Sequence, residues 1–416
     1  MEKMRLQCLG ACREVGRSCF VLETDVKVML DCGLKIYEPS GKKDMFPEQF
    51  QGPLDGMILS HAHFDHSGFL PELFTHERTN WYGTPPTAEI AGLLWPDSMK
   101  IMGSESPYTE ADITRAQRKF VPVEYGQRLH IGETEFTLHD AGHILGAGMV
   151  EVEWGRRRFV YTGDFKLEET RMHRGAKPVK DAEVLLIEST YHSREHPPRA
   201  QLEKKLKKEM EEITGNGGNV LFPAFAVGRT QELISIVRSL IPDVPVFVDG
   251  MGKGVSAIYR KYGKCIRDAR GFSEAAEGVV FVEDERDRRD ATSMPSIIIS
   301  TAGMLQGGPA LKYLLNMLPQ SRMVFTGYNV EGTNGWRVMN EGKIILDGNL
   351  LEVGLPWSYY DFSAHAGRSD LFEYIKKASP EKIILNHGER IPEFQNELQA
   401  QGYEVYAPKN GDVLEL

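Results

Sequence analysis

Short apolar segments separated by polar turns run through residues 1–190 of the chain. Residues 26–30, 56–60 and 157–161 have the apolar, β-rich make-up of strands, and residues 129–138 alternate apolar with polar positions. Such patterns are typical of β-strands in a domain that also holds a few helices. This part of the chain is therefore predicted to form a sheet-rich α/β domain.

A different pattern begins after Pro198. Residues 200–214 carry apolar side chains at helical spacing and stop at a glycine-rich run, which terminates a helix. The apolar stripe of this predicted helix consists of Leu202, Leu206, Met210 and Ile213. A strand at 219–223, a helix at 230–240 and a strand at 244–248 follow. Alternation of strand and helix favours a parallel sheet, hence a second α/β unit.

Two further segments are predicted to have no binding role. Residues 283–290 mix both signs of charge and lack aromatic side chains, which indicates a solvated loop. Residues 250–254 are glycine-rich and follow a strand, but Val255 stands where the dinucleotide-binding fingerprint needs glycine. A tight turn between strand and helix is the prediction there.

Composition places the chain among ordinary soluble proteins. Its 416 residues suffice for two domains, and its apolar share of 41% is average for a globular protein. No apolar run approaches the roughly 18 residues of a membrane helix, and the start lacks a secretory signal. We expect a cytoplasmic protein without membrane association. Its five cysteines form no C-x-x-C pair, so buried free thiols are expected.

The net charge of −10 argues against a protein that coats long nucleic acids non-specifically. A nuclease is still compatible with it, because acidic metal ligands count as negative until the metals are bound. Two zinc ions would return four positive charges to such a site.

Residues 60–68 contain the strongest chemical signal. An apolar strand leads into His61, His63, Asp65 and His66. Side chains at i and i+2 of extended chain project to the same side, so His61 and His63 can hold one metal ion. The turn that follows re-aims Asp65 and His66 towards a second ion. Surface histidines in a polar loop are the alternative.

A two-metal site needs ligands from elsewhere in the chain. His143 lies among glycines that permit close backbone approach, and Asp164 follows a strand end. One carboxylate can bridge two ions at the ~3.5–4 Å spacing of two-metal hydrolases. Taken alone, either residue would be interpreted as a turn residue.

This combination resembles the metallo-β-lactamase superfamily. Asp31, within residues 29–33, matches the superfamily's first motif, in which an aspartate supports the ligand loop through hydrogen bonds. The resemblance implies an α/β fold, an αββα sandwich with the metal site at one edge of its sheets.

The rest of the chain resembles the β-CASP nucleases of that superfamily. Residues 185–191, 361–367 and 385–389 look like the family's motifs A, B and C. The resemblance makes Glu188, His365 and His387 functional residues, one from each motif. It also implies an α/β β-CASP domain inserted between motifs A and B. The expected domains are 1–190 and 361–416 for the metallo-β-lactamase domain and 191–360 for the β-CASP domain.

Three more segments, 222–233, 299–308 and 326–333, resemble the RNA 3′-end nucleases of the cleavage and polyadenylation specificity factor branch. His387 at motif C fits the RNA-acting members, since DNA-acting ones carry valine there. Archaeal members often begin with KH domains. This chain has no room for them, so a short, core-only form is expected. Whether partners with KH domains guide it stays open.

The resemblance assigns a role to each residue. One zinc would be held by His61, His63, His143 and Asp164, and the other by Asp65, His66, Asp164 and His387. Asp65, Glu188 and His365 form the expected catalytic set, in which Glu188 orients His365 and keeps it protonated for the leaving oxygen. A packed histidine is the alternative for His365. Candidate RNA contacts are Arg229, Lys253, Ser300, Thr301 and Gly303; the last three could equally form a plain strand-to-helix loop.

The predicted function is a ribonuclease that needs two Zn²⁺ ions and takes RNA as its partner. Endonuclease and 5′-to-3′ exonuclease action both stay open. The alternatives are another zinc-dependent phosphodiesterase and a catalytically silent RNA-binding or scaffold subunit. A homodimer is plausible, although no exposed apolar stripe in the sequence proves one.

Overall fold

The computed structural model describes residues 3–35, 45–76, 79–314 and 316–416. By their contacts these residues fall into two units. One unit runs up to Glu169 and includes Gly175–Glu195 and His365–Leu416, and the other consists of Thr170–Arg174 and His196–Ala364.

The first unit is built on two sheets with helices beside them. Its strands are β1 (Arg5–Cys8), β2 (Cys19–Glu23), β3 (Lys27–Cys32), β4 (Gly56–Ile58), β5 (Trp81–Gly83), β6 (Phe120–Pro122), β7 (Arg128–Ile131), β8 (Thr134–Asp140), β9 (Gly148–Trp154), β10 (Arg157–Tyr161), β11 (Val184–Glu188), β20 (Lys382–Asn386), β21 (Glu404–Tyr406) and β22 (Val413–Glu415). Its helices are α1 (Phe64–Ser67), α2 (Leu70–Leu73), α3 (Pro85–Met102), α4 (Glu110–Arg118), α12 (Arg368–Ala378) and α13 (Ile391–Ala400).

Both sheets of this unit have seven strands, in the orders β22-β1-β2-β3-β4-β5-β6 and β21-β20-β11-β10-β9-β8-β7. One apolar core joins them, with Phe20 and Leu30 from the first sheet and Val150 and Phe159 from the second. Each such buried side chain contributes about 1.5–3 kcal/mol.

Helices cover the outer sides of this pair of sheets. Trp95 of α3 packs 6.0 Å from Trp81 of β5, measured between ring centroids. On the other sheet, Tyr374 of α12 is fully buried and its hydroxyl lies 3.4 Å from the sulfur of Met149 in β9. The expected αββα architecture is confirmed.

The alternating segment 129–138 is two strands rather than one. β7 and β8 pair with Ile131 opposite Thr134, so only two residues connect them. Gly132 has φ 61°, a left-handed conformation that two-residue hairpin turns favour and that glycine adopts without strain. Alternation continues through such a turn, which is why it does not reveal the break.

The strands of the second unit are β12 (Val220–Pro223), β13 (Val246–Asp249), β14 (Val280–Phe281), β15 (Ile297–Ser300), β16 (Arg322–Phe325), β17 (Lys343–Leu346), β18 (Asn349–Glu352) and β19 (Trp357–Tyr359). Six of them form a parallel sheet in the order β14-β13-β15-β12-β16-β19. A hairpin of β17 and β18 is separate from this sheet. The helices are α5 (Arg199–Gly215), α6 (Arg229–Leu240), α7 (Gly252–Lys261), α8 (Ala269–Glu277), α9 (Glu285–Ser293), α10 (Ala310–Leu314) and α11 (Asn334–Glu341).

The predicted strand–helix–strand order of this unit is confirmed, and so is the tight turn between β13 and α7. The prediction of a loop at 283–290 is wrong, because α9 forms there. Asp284 caps that helix by accepting hydrogen bonds from the backbone amides of Arg286 and Asp287. The charged side chains are mostly exposed, so the segment is solvated but helical.

Four of the five cysteines, Cys8, Cys12, Cys19 and Cys32, are buried free thiols as expected, while Cys265 is half-exposed. Within the described ranges, the structure contains no helix that combines the length and the apolar character needed to cross a bilayer.

Candidate metal centre

The centre is built entirely within the first unit, where several strand ends meet. Asp31 lies in a bulge of β3: Cys32 pairs with Cys19 and Leu30 with Phe20, which leaves Asp31 unpaired at φ 58°. A bulge of this kind turns one side chain out of the regular alternation. The Asp31 carboxylate is thereby directed at the loop that follows β4.

Asp31 accepts hydrogen bonds from four donors, all of them buried. These are the backbone amide of Ser60 at 2.6 Å, the Ser60 hydroxyl at 2.6 Å, the Tyr161 hydroxyl at 2.7 Å and His66 Nδ1 at 2.7 Å. Both oxygens of the carboxylate are used in these hydrogen bonds. The bond to Nδ1 fixes the orientation of the His66 ring, so that Nε2 faces the centre. The supporting role of Asp31 stays a prediction, and these hydrogen bonds are the contacts that such a role requires.

The loop after β4 carries four of the predicted ligands. His61 is buried, whereas His63, which precedes α1, and Asp65 within α1 are partly exposed. The short helix also brings His66 into the site. Gly33 permits this arrangement, since a Cβ there would lie 1.7 Å from the Asp65 carbonyl oxygen.

Asp164 lies at the middle of the centre. Its Oδ2 is 3.6 Å from His61 Nε2, 3.3 Å from His66 Nε2 and 3.8 Å from His143 Nε2. Its Oδ1 is 3.4 Å from His387 Nδ1. One carboxylate therefore contacts both groups of predicted ligands.

Two more contacts connect the outer members. His143 Nε2 lies 3.0 Å from His63 Nδ1, and His387 Nε2 lies 3.2 Å from Asp65 Oδ2. The structure thus brings all seven predicted ligands together in two groups that meet at Asp164. His365 joins them, so six of the chain's 12 histidines lie at this centre.

The donor set fits a metal. Among the described side chains, His61 Nε2 and Asp164 Oδ1 are buried polar atoms without a hydrogen-bond partner. Buried polar atoms are nearly always paired, because an unpaired one loses its hydration without compensation. Imidazole nitrogens and carboxylate oxygens are ligands that zinc prefers. The residues present can therefore hold metal ions.

Electrostatics separates the histidines of the centre. Burial, reinforced by the charge of His66, holds the pKa of His61 well below its usual range. Burial opposes protonation of His66 too, but the Asp164 carboxylate outweighs it and raises the pKa of His66. For Asp164 itself, burial is overcome by His387, His66 and His365, which hold the pKa of the carboxyl well below its usual range. The carboxylate stays ionised, as a metal ligand must.

Glu188 and His365 form a pair next to Asp164. Glu188, at the end of β11, is fully buried and lies 3.1 Å from His365 Nδ1 through Oε2. Burial opposes protonation of His365, yet the charges of Glu188 and Asp164 prevail and raise its pKa to about 9. A histidine with this pKa carries a proton at neutral pH and can donate it.

Sequence reasoning did not single out the residues that support these groups. These residues are Ser60 and Tyr161, whose hydroxyls donate to Asp31, and Thr190. Thr190 donates to Glu188 Oε2 at 2.5 Å and lies 3.1 Å from His387 Nδ1. Each of the three stands within a few residues of a predicted site residue, which is the only signal that the sequence offers. Hydroxyls are too common for that signal to be specific.

The five candidate RNA contacts lie in the second unit at the carboxyl ends of its parallel strands. Ser300 ends β15 and is buried, and Thr301 packs against Gly250, where a Cβ would lie 2.0 Å from the Thr301 hydroxyl. Gly303 lies close to the backbone that follows β12. Arg229 begins α6 and donates to the Phe362 carbonyl, and Lys253 in α7 pairs with Glu283 on the surface. Ligands commonly bind at this edge of an open α/β sheet.

Comparison with known proteins identifies the family to which this fold and this centre belong. The metallo-β-lactamase superfamily model matches residues 12–222, the β-CASP domain model residues 230–338, and the model of a Zn-dependent metallo-hydrolase RNA specificity domain residues 353–408. The chain belongs to the metallo-β-lactamase superfamily and, within it, to the β-CASP metal-dependent hydrolases.

Three similar proteins come from archaea. The chain is 34% identical to Probable RNase MJ4 of Methanocaldococcus jannaschii, over 98% of this chain and 99% of that protein. It is 34% identical to Transcription termination factor FttA of the same organism, over 99% of this chain and 72% of that protein. It is 32% identical to RNase aCSPSF2 of Saccharolobus solfataricus, over 99% of this chain and 85% of that protein. These relatives agree with the archaeal members of the branch that the motifs predicted.

A solved structure shares the fold. A protein of unknown function from Enterococcus faecalis superimposes with a TM-score of 0.66 over 100% of both chains at 15% identity. At that identity the likeness concerns the fold alone.

Proposed function

We propose that this protein is a zinc-dependent ribonuclease that hydrolyses phosphodiester bonds of RNA. The observation that carries the proposal is the position of Asp164, which contacts both ligand groups and the Glu188–His365 pair. Metal ligands and a proton donor therefore share one centre. The RNase names of two similar proteins and the RNA specificity domain favour RNA as the substrate.

We assign two metal sites that share Asp164. The first consists of His61, His63, His143 and Asp164, whose ligand atoms lie within 4.8 Å of one another. The second consists of Asp65, His66 and His387 with Asp164 again. When bound, two zinc ions supply Lewis acidity to the phosphodiester and a nucleophile from water at neutral pH.

The protein's own residues would then handle the leaving group. His365 directs Nδ1 at Glu188, so Nε2 carries the proton that the leaving oxygen needs. Glu188 is itself held by the Phe165 amide at 2.9 Å and by Thr190. Because both of its oxygens are engaged, the carboxylate orients the imidazole and favours its charged form. The partial exposure of His365, 21% of its side chain, leaves it open to substrate.

A time course on RNA with a 5′ label tests the proposal, with wild type and Asp164→Asn in parallel. Labelled fragments of intermediate length that are absent with the variant would establish a metal-dependent endonuclease. Immediate release of a labelled mononucleotide would establish a 5′-to-3′ exonuclease on the same centre. Equal inertness of both proteins would contradict the proposal and favour a silent RNA-binding subunit or a different phosphodiester substrate.

Metal content, measured by mass spectrometry on the purified protein, separates these last two alternatives. A ratio near two zinc ions per chain together with inertness on RNA favours another phosphodiesterase. A ratio near zero after expression in zinc-supplied cells favours the silent subunit.

The remaining expectations stay predictions with simple tests. Sedimentation decides whether the chain forms a homodimer, and cell fractionation decides whether it is cytoplasmic. Limited proteolysis tests the domain boundaries near residues 190 and 360. Crosslinking to RNA tests the five candidate contacts, and the pairing of Lys253 with Glu283 makes that lysine the weakest of them.

A further inference from the structure

Lys166 is a buried lysine two residues after Asp164. Its relative exposure is 1%, which is unusual because an ammonium group loses much hydration on burial. Its Nζ donates to the His365 carbonyl oxygen at 3.1 Å and lies 3.8 Å from Glu168 Oε2. A charged donor thus supports the backbone of the residue that carries the proton.

The backbone of Lys166 is held on both sides as well. Its amide donates to the Ala141 carbonyl at 3.0 Å, and its carbonyl accepts from the Ala176 amide at 2.8 Å. Ala141 belongs to the same turn as His143. Lys166 therefore connects three parts of the centre: the loop of Asp164, the turn of His143 and the segment of His365.

The neighbouring residue completes this arrangement. Phe165 donates its amide to Glu188 Oε1 at 2.9 Å, while Lys166 donates to the His365 carbonyl. Two consecutive residues after Asp164 therefore hold the two members of the Glu188–His365 pair. Loss of either hydrogen bond would let Glu188 or His365 move, and the distance between the two side chains would change.

We propose that Lys166 is a positioning residue for the proton donor: its ammonium group fixes the His365 backbone so that the imidazole meets both Glu188 and the leaving oxygen. The inference rests on the proposed nuclease function. Lys166 does not act on substrate itself, because it is buried and its Nζ is directed at a backbone carbonyl. Its effect therefore depends on how much the leaving group needs a proton.

Two substrates with different leaving groups test this. Cleavage of RNA releases a ribose hydroxyl, which needs a proton, whereas bis(p-nitrophenyl) phosphate releases nitrophenolate, a stable anion that needs none. We expect Lys166→Met to lower kcat on RNA about 10- to 100-fold with little change in KM, as loss of a supporting contact does. Turnover of the nitrophenyl diester and the zinc content should stay close to wild type.

Matched variants make the result specific. Lys180→Met removes an exposed lysine of the same connecting segment and should leave both activities unchanged. Lys166→Arg retains a charged donor and should recover part of the activity on RNA. Lys166→Met combined with His365→Asn should cost no more on RNA than His365→Asn alone, because both changes remove the same proton transfer. Equal losses on the two substrates, or a fall in zinc content, would overturn the proposal in favour of a general structural role.

A crystal structure of Lys166→Met provides a readout that needs no activity. The separation of His365 Nδ1 from Glu188 should exceed hydrogen-bonding distance in the variant, compared with 3.1 Å here. An unchanged separation would refute the positioning role. If the wild type cuts no RNA, the proposed function fails, but this distance still decides whether Lys166 positions His365.

Discussion

Both units of this protein bury charged side chains, and they satisfy them in different ways. In the second unit, Glu232 accepts hydrogen bonds from the backbone amides of Arg171 and Met172, each at 3.1 Å, and from the Arg199 guanidinium. In the first unit, Asp164 Oδ1 and His61 Nε2 are buried and have no hydrogen-bond partner among the described residues.

Asn219 of the second unit extends the comparison. Its side chain donates to the Ala291 and Met294 carbonyls and to the Ser296 hydroxyl, and it accepts from the Leu318 amide and the Ser321 hydroxyl. Such a cluster is complete without a ligand and stabilises the fold. The centre of the first unit is incomplete without one. Burial alone therefore does not mark a functional site, and neither does a single unpaired atom, since Asn329 Oδ1 of the second unit is also buried without a hydrogen-bond partner. What distinguishes the centre is that its unpaired atoms are of metal-binding types and lie among several others around one carboxylate.

The largest effect is expected for Asp164→Asn, which removes the charge shared by both ligand groups. We expect the nuclease rate to fall roughly 10³-fold or more, since the ligands act as a unit. Zinc content should fall with it, as measured by mass spectrometry. Asp290→Asn, on the exposed face of α9, is the matched control and should retain both zinc and activity. Full zinc occupancy in Asp164→Asn would contradict the proposal that both metal sites share this carboxylate.

His365→Asn separates proton donation from metal binding within the same centre. Loss of a general acid costs about 10²- to 10⁴-fold in kcat, so we expect a reduction of that size on RNA. Zinc content should stay unchanged, because His365 is not among the proposed ligands. Single-turnover kinetics together with metal analysis checks this. Loss of zinc in this variant would instead make His365 a ligand.

Glu232→Gln tests the complete cluster of the second unit. It leaves the half-buried Arg199 guanidinium without the buried carboxylate that pairs with it, which costs about 3 kcal/mol of unfolding free energy. Zinc content should not change, because this cluster contains none of the proposed ligands. Urea denaturation of the wild type and the variant measures the loss. A variant as stable as the wild type would show that the Glu232 cluster does not stabilise the second unit.

The smallest effect concerns pH and His173, a buried residue of the second unit. Burial lowers its pKa to about 4, while the charge of Glu232 acts in the opposite direction. The unfolded chain has a pKa of about 6.5 at this residue. Neutral His173 therefore contributes stability that is present above about pH 6.5 and is lost as the pH falls through about 4.

His173→Phe should remove this part of the acid sensitivity. Between pH 6.5 and 4.5 the wild type should lose about 2 kcal/mol more than the variant. Because the substitution also removes the contact with Tyr259, the slopes against pH are compared rather than the absolute stabilities. Parallel slopes would mean that His173 does not titrate in this range.

Much of the fold and the centre could be predicted because the signals are local. The helix with Leu202 and Met210 on one stripe ends at Gly215, where the glycine-rich run predicted its end. The strand before His61 is also where it was expected. Predictions were wrong where a local pattern was compatible with two structures, as for the charged run that forms α9 and the alternating segment that turns at Gly132. The cap hydrogen bonds of Asp284 decide the first case and the left-handed conformation of Gly132 decides the second, and no periodicity reveals either.

The sequence by itself determined which side chains are available for chemistry and that they follow strand ends, because side-chain type and periodicity are properties of neighbouring residues. Only the tertiary structure decided which of them meet. His387 contacts Asp65 across 322 residues, and Lys166 reaches the His365 carbonyl across 199. Such contacts depend on how two sheets pack around a shared core, and the same packing buries the lysine. Long-range packing thus converts a set of polar residues into one centre, and only its geometry shows which atoms are left for a metal.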